Sequence, residues 1–296
     1  AVIVDELFEL VQESGQTRLY LDLADIRQIA SVVMGKLLAL DARLREHGGQ
    51  LILLDLNPFP YETLQAARLT EIHAPKAGTP TQGGILIVVT MLVSLLLWGN
   101  LDNAFVLIAF MVVLGSAVIG WVDDRIKLVV AHRKGLTKSE KLGLQFLLYG
   151  LVAWGIWSVQ WVPPEIALPF VKHSFSPGLF VYCAWGAFVM ALASNAVNLT
   201  DGLDGLAAGC SAMTGLALVV VVYAAGHREI SRYLLIPPVP GCGELAILGG
   251  ALVGASLGFL WFNCHPAEVF MGNTGSVALG GTLGYIALAA RQEMAL

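Results

Sequence analysis

The chain has 296 residues, of which 56% are hydrophobic and only 13% charged, with a mean hydropathy of +0.72. Soluble domains carry roughly 25% charged residues, so an ordinary soluble globule is excluded for most of the length. The net charge of −5 leaves no basic footprint, so nucleic acid is not an expected partner.

The bias is uneven along the chain. Between Ala1 and His73 charges are frequent, as in Asp41-Ala-Arg-Leu-Arg-Glu46, and no apolar run is long enough to cross a bilayer. Leu19–Leu23 and Leu51–Asp55 read as short buried strands. Between them, Ser31–Glu46 has helical spacing, with Val32, Leu37, Leu38, Leu40 and Leu44 apolar and Lys36, Asp41, Arg43, Arg45 and Glu46 polar; Gly48-Gly49 stops it. Further short helices are expected over Glu6–Glu13 and Tyr61–Arg68. This order predicts a small α/β layer. The Pro/Gly/Thr-rich stretch 74–82 marks a boundary, giving a soluble domain over 1–73 and a membrane part over 74–296. The chain opens directly into soluble-looking sequence, with no signal peptide, and on Ala rather than Met, as a fragment would.

The first segment resembles a STAS domain, the fold of anti-sigma-factor antagonists. The residues that carry the likeness are Leu21-Asp-Leu-Ala-Asp-Ile26, Ser31, Gly35-Lys-Leu-Leu38, His47-Gly-Gly-Gln-Leu51 and Leu69. The resemblance implies a partner protein that docks here. STAS domains often carry a phosphorylatable Ser or Thr at the start of the first long helix; the matching position is Val32, with Ser31 just before it. A docking module is therefore the expectation, ahead of a phosphoswitch.

From Gly83 onward the sequence changes character. A helix needs about 20 mostly apolar residues to cross a bilayer, and seven spans are predicted: 83–99, 103–122, 142–162, 177–197, 206–225, 244–262 and 275–290. The fold expected is an all-α polytopic bundle behind the α/β domain. The connector Asp123–Lys141 holds Arg125, Lys127, Arg133, Lys134, Lys138 and Lys141 out of 17 basic residues. Basic connectors stay in the cytoplasm, and counting spans from there puts the N-terminal domain, 74–82, 198–205 and 263–274 on the same face. The four cysteines form no CxxC pair, which predicts buried or lipid-facing thiols rather than disulfides or zinc ligands.

All the chemistry-bearing motifs fall on that one face. Asp123-Asp124 sits where an apolar span meets the basic connector, and adjacent carboxylates there need a cation or basic partners; Lys127 is one partner, a solvated helix end the bland alternative. Asn195, Asn198, Asp201 and Asp204 recur every three residues, a spacing that keeps neighbours on one side if the helix continues. Gly202 and Gly205 let a ligand approach the backbone. Such oxygens suit Mg²⁺ or a nucleotide. Met271-Gly-Asn-Thr-Gly-Ser276 is a turn opening the last span, fit to receive a phosphate oxygen, and Lys76, Lys127 and Lys141 supply positive charge. Together these residues describe phosphoryl transfer at a membrane surface, with a lipid as one substrate.

The same motifs resemble the phospho-N-acetylmuramoyl-pentapeptide transferase family over about 73–290. The residues that carry this are His73-Ala-Pro-Lys-Ala-Gly-Thr-Pro-Thr-Gln-Gly-Gly84, Asp123-Asp124 with Lys127, Asn195 to Ala207, Phe262-Asn-Cys-His-Pro-Ala-Glu-Val-Phe-Met-Gly272 and Ile236 to Leu245. The resemblance implies transfer of phospho-MurNAc-pentapeptide from its UDP carrier to undecaprenyl phosphate, with Mg²⁺, in a bacterial cytoplasmic membrane, and suggests a homodimer. It makes Asp123, Asp124 and Asp201 catalytic, with Asp123 the base. It assigns Lys76, Thr81, Lys127, Lys141, Asn195, Asn198, Gly202, Asp204, Asn263 and Phe270 to substrate, Phe270 lying under the uracil, and Asp201 with position 273 to the metal. The chain departs from the family in three respects. Position 273, Asp in the family's Met-Gly-Asp-x-Gly-Ser pattern, is Asn273 here. The STAS-like segment stands in place of the family's first span, and the last two spans, with a His-rich loop, are missing. The alternative reading is a catalytically impaired membrane protein that binds the nucleotide sugar or lipid and signals through the N-terminal domain.

Overall fold

The computed structural model describes residues 18–22, 39–41, 44, 50–54, 82–129, 135–159, 177–265 and 267–293. The chain divides into two compact units, Ala1–Thr79 and Pro80–Leu296.

In the first unit, β1 (Arg18–Asp22) and β2 (Gln50–Leu54) pair in parallel, with Arg18 opposite Gln50 and Asp22 opposite Leu54. Each starts one residue before the predicted strand. Parallel neighbours need a crossover, and the residues described between the strands, 39–41 and 44, are helical. Leu40, Leu44 and Leu51 are buried as the spacing predicts, and Asp41, expected on the polar face, is buried with them. The helices expected over Glu6–Glu13 and Tyr61–Arg68 lie outside the described residues.

The second unit is a helical bundle. Its described elements are α1 (Gly84–Trp98), α2 (Ala104–Val129), α3 (Lys138–Val159), α4 (Leu179–Thr200), α5 (Leu206–Gly226), the short α6 (Arg228–Leu234), a single 3₁₀ turn (Cys242–Glu244), α7 (Leu245–Asn263) and α8 (Gly272–Ala289). Five stretches are long and apolar enough to cross a membrane: Ala104–Lys127, Lys138–Val159, Leu179–Thr200, Leu206–Gly226 and Cys242–Asn263. The other two predicted spans fall on helices of a different kind. The first, α1, has 15 residues, and α8 is rich in Gly and Thr.

The reason for the composition of α8 is its position. All its residues from Thr274 to Ala289 are buried, and it packs against α1, α2, α4 and α5. A helix wrapped by others has no contact with lipid and gains more from close backbone approach than from bulk. A Cβ on Gly84 would come within 2.3 Å of the Gly275 backbone, one on Gly120 within 2.2 Å of the Asn273 carbonyl oxygen, and one on Gly280 within 2.5 Å of that of Ala193. Glycine is required at these three crossings. Outside, Leu86, Leu97, Trp98, Trp154, Phe180 and Trp261 are exposed, the surface of a bundle solvated by lipid.

The predicted second span ended at 122, but α2 continues to Val129. Asp123, Asp124 and Lys127 are therefore on helix, not in a connector. That one extension sets the geometry of the site.

Candidate active site

On a helix, residues four apart face each other. Lys127 Nζ accordingly sits 2.8 Å from Asp123 Oδ2 and 3.7 Å from Asp124 Oδ1. Leu136 N–H donates to Asp123 Oδ1 at 2.7 Å, and the amide of Asn273 donates through Nδ2 to Asp123 Oδ2. The neighbouring Asp124 accepts at the start of α8: from Asn273 N–H at 3.3 Å, from Thr274 N–H at 3.0 Å and from Thr274 Oγ1 at 3.0 Å. A carboxylate at a helix N-terminus meets unpaired N–H groups and the positive end of the dipole. Asp123 is buried, and such a charge is tolerable only with partners of this kind.

The loop that brings Leu136 to Asp123 is fixed at both sides. Gly135 has φ +101°, and a Cβ there would lie 2.5 Å from Asp123 Oδ1. Thr137 and Glu140 then form a reciprocal cap on α3: Thr137 N–H donates to Glu140 Oε2 at 2.8 Å, and Glu140 N–H to Thr137 Oγ1 at 3.2 Å. Thr137-Lys-Ser-Glu140 is a capping-box pattern legible in the sequence. One turn into α3, Lys141 lies within electrostatic reach of Asp123, Asp124 and Lys127.

The helix α4 ends at Thr200, and 201–205 is a turn. The three-residue spacing of Asn195, Asn198, Asp201 and Asp204 therefore spans two structures, and the four side chains have different surroundings. Asn195 Nδ2 donates to Gln145 Oε1 and to Ala191 O, both at 2.8 Å, tying α4 to α3. Asn198 Oδ1 accepts from Ser276 Oγ at 2.8 Å, which joins α4 to α8. Asp201 caps α4 close enough to Asp124 to feel its charge; burial first, then that charge, pushes its carboxyl up to about 7. Gly202 is exposed, with only Leu199 O near a Cβ placed on it, at 3.8 Å.

Asp204 belongs to a separate knot. Its Oδ2 receives His265 Nδ1 at 3.0 Å and Ala267 N–H at 3.2 Å. Beside it, Gly205 N–H donates to Asn263 Oδ1 at 3.0 Å, and Asn263 Nδ2 to Val269 O at 2.9 Å. Gly205, at φ +74°, makes the turn into α5. Phe270 is half-buried, and its carbonyl accepts from Gly83 N–H at 3.0 Å, which holds the start of α1 against this segment.

The structure thus gathers Asp123, Asp124, Lys127, Lys141, Asp201, Asn198 and Asn273 at one end of the bundle, with Asp204, Asn263 and Phe270 forming the adjoining loop. Lys76 and Thr81 lie outside the described residues. His265, Leu136, Thr274 and Ser276 were not singled out in the sequence. A partner for Asp204 cannot be read from spacing, since His265 lies 61 positions away.

The donor set tests the implied metal. Mg²⁺ takes oxygen ligands, yet every carboxylate oxygen of Asp123 and Asp124 already faces a protein donor, and Asn273 turns N–H rather than oxygen toward Asp123. Among the described residues no group of three or more His, Cys, Asp or Glu is arranged to hold a metal ion. The residues do not fit a protein-built Mg²⁺ site centred on Asn273 and Asp201. The four cysteines are free, with Cys242 buried and Cys210 and Cys264 exposed.

Comparison with known proteins places this geometry. Residues 104–291 match the model of glycosyl transferase family 4, and residues 2–79 match that of the STAS domain. A phospho-N-acetylmuramoyl-pentapeptide-transferase of Solidesulfovibrio magneticus is 47% identical over 229 residues, 76% of this chain and 63% of that protein. Proteins of the same name from Citrifermentans bemidjiense and Koribacter versatilis are 44% identical over 240 residues and 43% over 243, covering 67% and 64% of their lengths. The chain spans a little under two thirds of the length of several of these relatives. With an apolar helical bundle, a STAS domain ahead of it and this likeness over the Asp-bearing core, the chain is a multi-pass membrane protein that belongs to glycosyl transferase family 4, alongside the phospho-N-acetylmuramoyl-pentapeptide-transferases.

Proposed function

We propose that the chain transfers phospho-MurNAc-pentapeptide from UDP-MurNAc-pentapeptide to undecaprenyl phosphate, releasing UMP. The observation that carries this reading is the convergence of Asp123, Asp124, Asp201, Lys127 and Lys141 at one end of an apolar bundle. Diphosphate chemistry needs that combination: fixed positive charge for the phosphate oxygens and a carboxylate to take up a proton or position the attacking oxygen.

In this reading Asp123 is the base, held by Leu136, Lys127 and Asn273. Lys127 and Lys141 receive phosphate oxygens. Asp204, Asn263 and Phe270 hold the uridine, since this loop has an acceptor, an amide and an aromatic face on adjoining segments. Asn195 acts through Gln145 and α3 rather than on substrate. The Mg²⁺ of the resemblance has no protein cage in the donor set described, so no step here is assigned to it. The basic connector supports a cytoplasmic site face in a bacterial inner membrane, with the bilayer supplying the lipid acceptor. A homodimer, and a protein partner for the STAS domain over 1–73, complete the reading.

The test is formation of a butanol-extractable, pentapeptide-bearing lipid by purified protein in the presence of both substrates. Asp123→Ala is expected to lower the rate by at least about a hundredfold. Product formed equally well without undecaprenyl phosphate would contradict the assignment of the acceptor. The observation favouring the second reading, a binding protein without turnover, is the Asn273 amide seated on Asp123; that reading is supported if nucleotide sugar binds and no lipid product forms.

A further inference from the structure

Two adjacent carboxylates, Asp123 buried and Asp124 partly so, need compensation, and metal and protein donors are alternative ways to supply it. Here every carboxylate oxygen has at least one protein donor. Asp123 Oδ1 accepts from Leu136 N–H; Asp123 Oδ2 from Lys127 Nζ and Asn273 Nδ2; Asp124 Oδ1 from Asn273 N–H; Asp124 Oδ2 from Thr274 N–H and Thr274 Oγ1.

Asn273 decides which solution the chain uses. An amide can ligate a cation only through oxygen, while its NH₂ is a pure donor. The NH₂ is turned onto Asp123 Oδ2. The opposite orientation would set amide oxygen against carboxylate oxygen, two acceptors with no proton between them. Two facing acceptors repel, so the chemistry of the pair favours the amide with its donor toward the acids. Its backbone N–H reaches Asp124 as well, so a single residue bonds both carboxylates. Gly120, packed against the Asn273 carbonyl, holds this residue at the crossing of α2 and α8.

We propose that Asn273 and Lys127 together occupy the role of a divalent cation at Asp123–Asp124, leaving this acid pair without a protein-only divalent site. This builds on the transferase reading of the same end of the bundle, and its test omits both substrates so that the two can fail separately.

Mn²⁺ serves as the probe, titrated into the purified full chain in nanodiscs and followed by electron paramagnetic resonance. The native chain is expected to bind Mn²⁺ only weakly, at about millimolar concentration, as a site with two already-satisfied carboxylates should. Asn273→Asp replaces the donor by a third carboxylate and is expected to tighten binding at least about tenfold, since affinity follows ligand charge. The variant's melting temperature should then rise with Mn²⁺ while that of the native chain stays flat. Asn273→Ala covers the case in which Asn273→Asp does not fold: it removes the donor without adding charge and should bind Mn²⁺ no more weakly than the native chain. Micromolar, one-to-one binding by the native chain would overturn the proposal. So would weaker binding in Asn273→Ala, which would make the amide a ligand, or unchanged binding in a folded Asn273→Asp. A silent transferase assay bears on none of these outcomes.

Discussion

The two ends of α8, about 27 Å apart for 18 residues, bury polar groups in opposite ways. At the start, Asp123 and Asp124 have more donors than oxygens. At the finish, Glu293 is buried with Oε1 lacking a hydrogen-bond partner among the described residues, and the buried hydroxyl of Tyr182 lacks one too. Tyr285 lies there too, and its hydroxyl donates to Phe105 O at 2.6 Å. A buried carboxylate can meet its cost by collecting donors and staying charged, or by taking up a proton. At the first end the donors hold the Asp123–Asp124 pair charged. At the far end burial pushes Glu293 up to about 7, against its own backbone N–H and the nearby buried Arg291 charge, and Asp201 at the first end is raised in the same way.

The largest effect that would break this contrast comes from Asp124→Ala. It strands the N–H groups of Asn273 and Thr274 and the Thr274 hydroxyl, and leaves Lys127 with one partner. The expected loss is about 3–5 kcal/mol of stability, read by chemical denaturation in detergent. Gly120→Val comes next. Its branched side chain would run into the Asn273 carbonyl, and overpacking of this kind costs about 1–3 kcal/mol. The same variant should displace Asn273 and raise the Mn²⁺ affinity, which the titration above would detect.

A pH series probes the buried carboxyl group that each end also holds. Asp201 rises from its ordinary 3.8 to about 7 and Glu293 from 4.5 to about 7 in the folded chain. The folded state holds these protons more tightly than the unfolded one, so each contribution to stability is complete below about pH 4 and is lost as the pH rises through about 7. Asp201→Asn and Glu293→Gln should each flatten the decline in melting temperature between pH 5 and 8. Only Asp201→Asn should also reduce UMP release, because the far end takes no part in the chemistry. The smallest effect is expected for His265→Ala. Its side chain is 54% exposed where it meets Asp204, so about 1 kcal/mol or less is at stake. A few-fold rise in KM for the nucleotide sugar, with kcat unchanged and His265→Asn restoring it, would identify a residue that positions Asp204.

Much of this was legible in the sequence because hydrophobic runs and short motifs are local signals. The seven apolar segments each became a helix, and the strands at Arg18–Asp22 and Gln50–Leu54 fell within one residue of expectation. What escaped depends on contacts between distant segments. The extra turns of α2 are polar on one side, so hydropathy ended the span at 122, while the helix continues because Asp123, Asp124 and Lys127 find partners on it and on α8. Asn195 looked like part of a ligand row, yet its amide is used by Gln145, 50 positions earlier. The family resemblance marks Asn273 as a departure but not which way its amide points; that depends on Asp123, 150 positions away.

The most direct test of the account measures UMP release from UDP-MurNAc-pentapeptide, with and without undecaprenyl phosphate, by the native chain, Asp123→Ala and Glu293→Gln. The account expects lipid-dependent release that is lost in Asp123→Ala and retained in Glu293→Gln. Release that survives Asp123→Ala but disappears in a folded Glu293→Gln would contradict it, because the chemistry would then lie at the wrong end of α8.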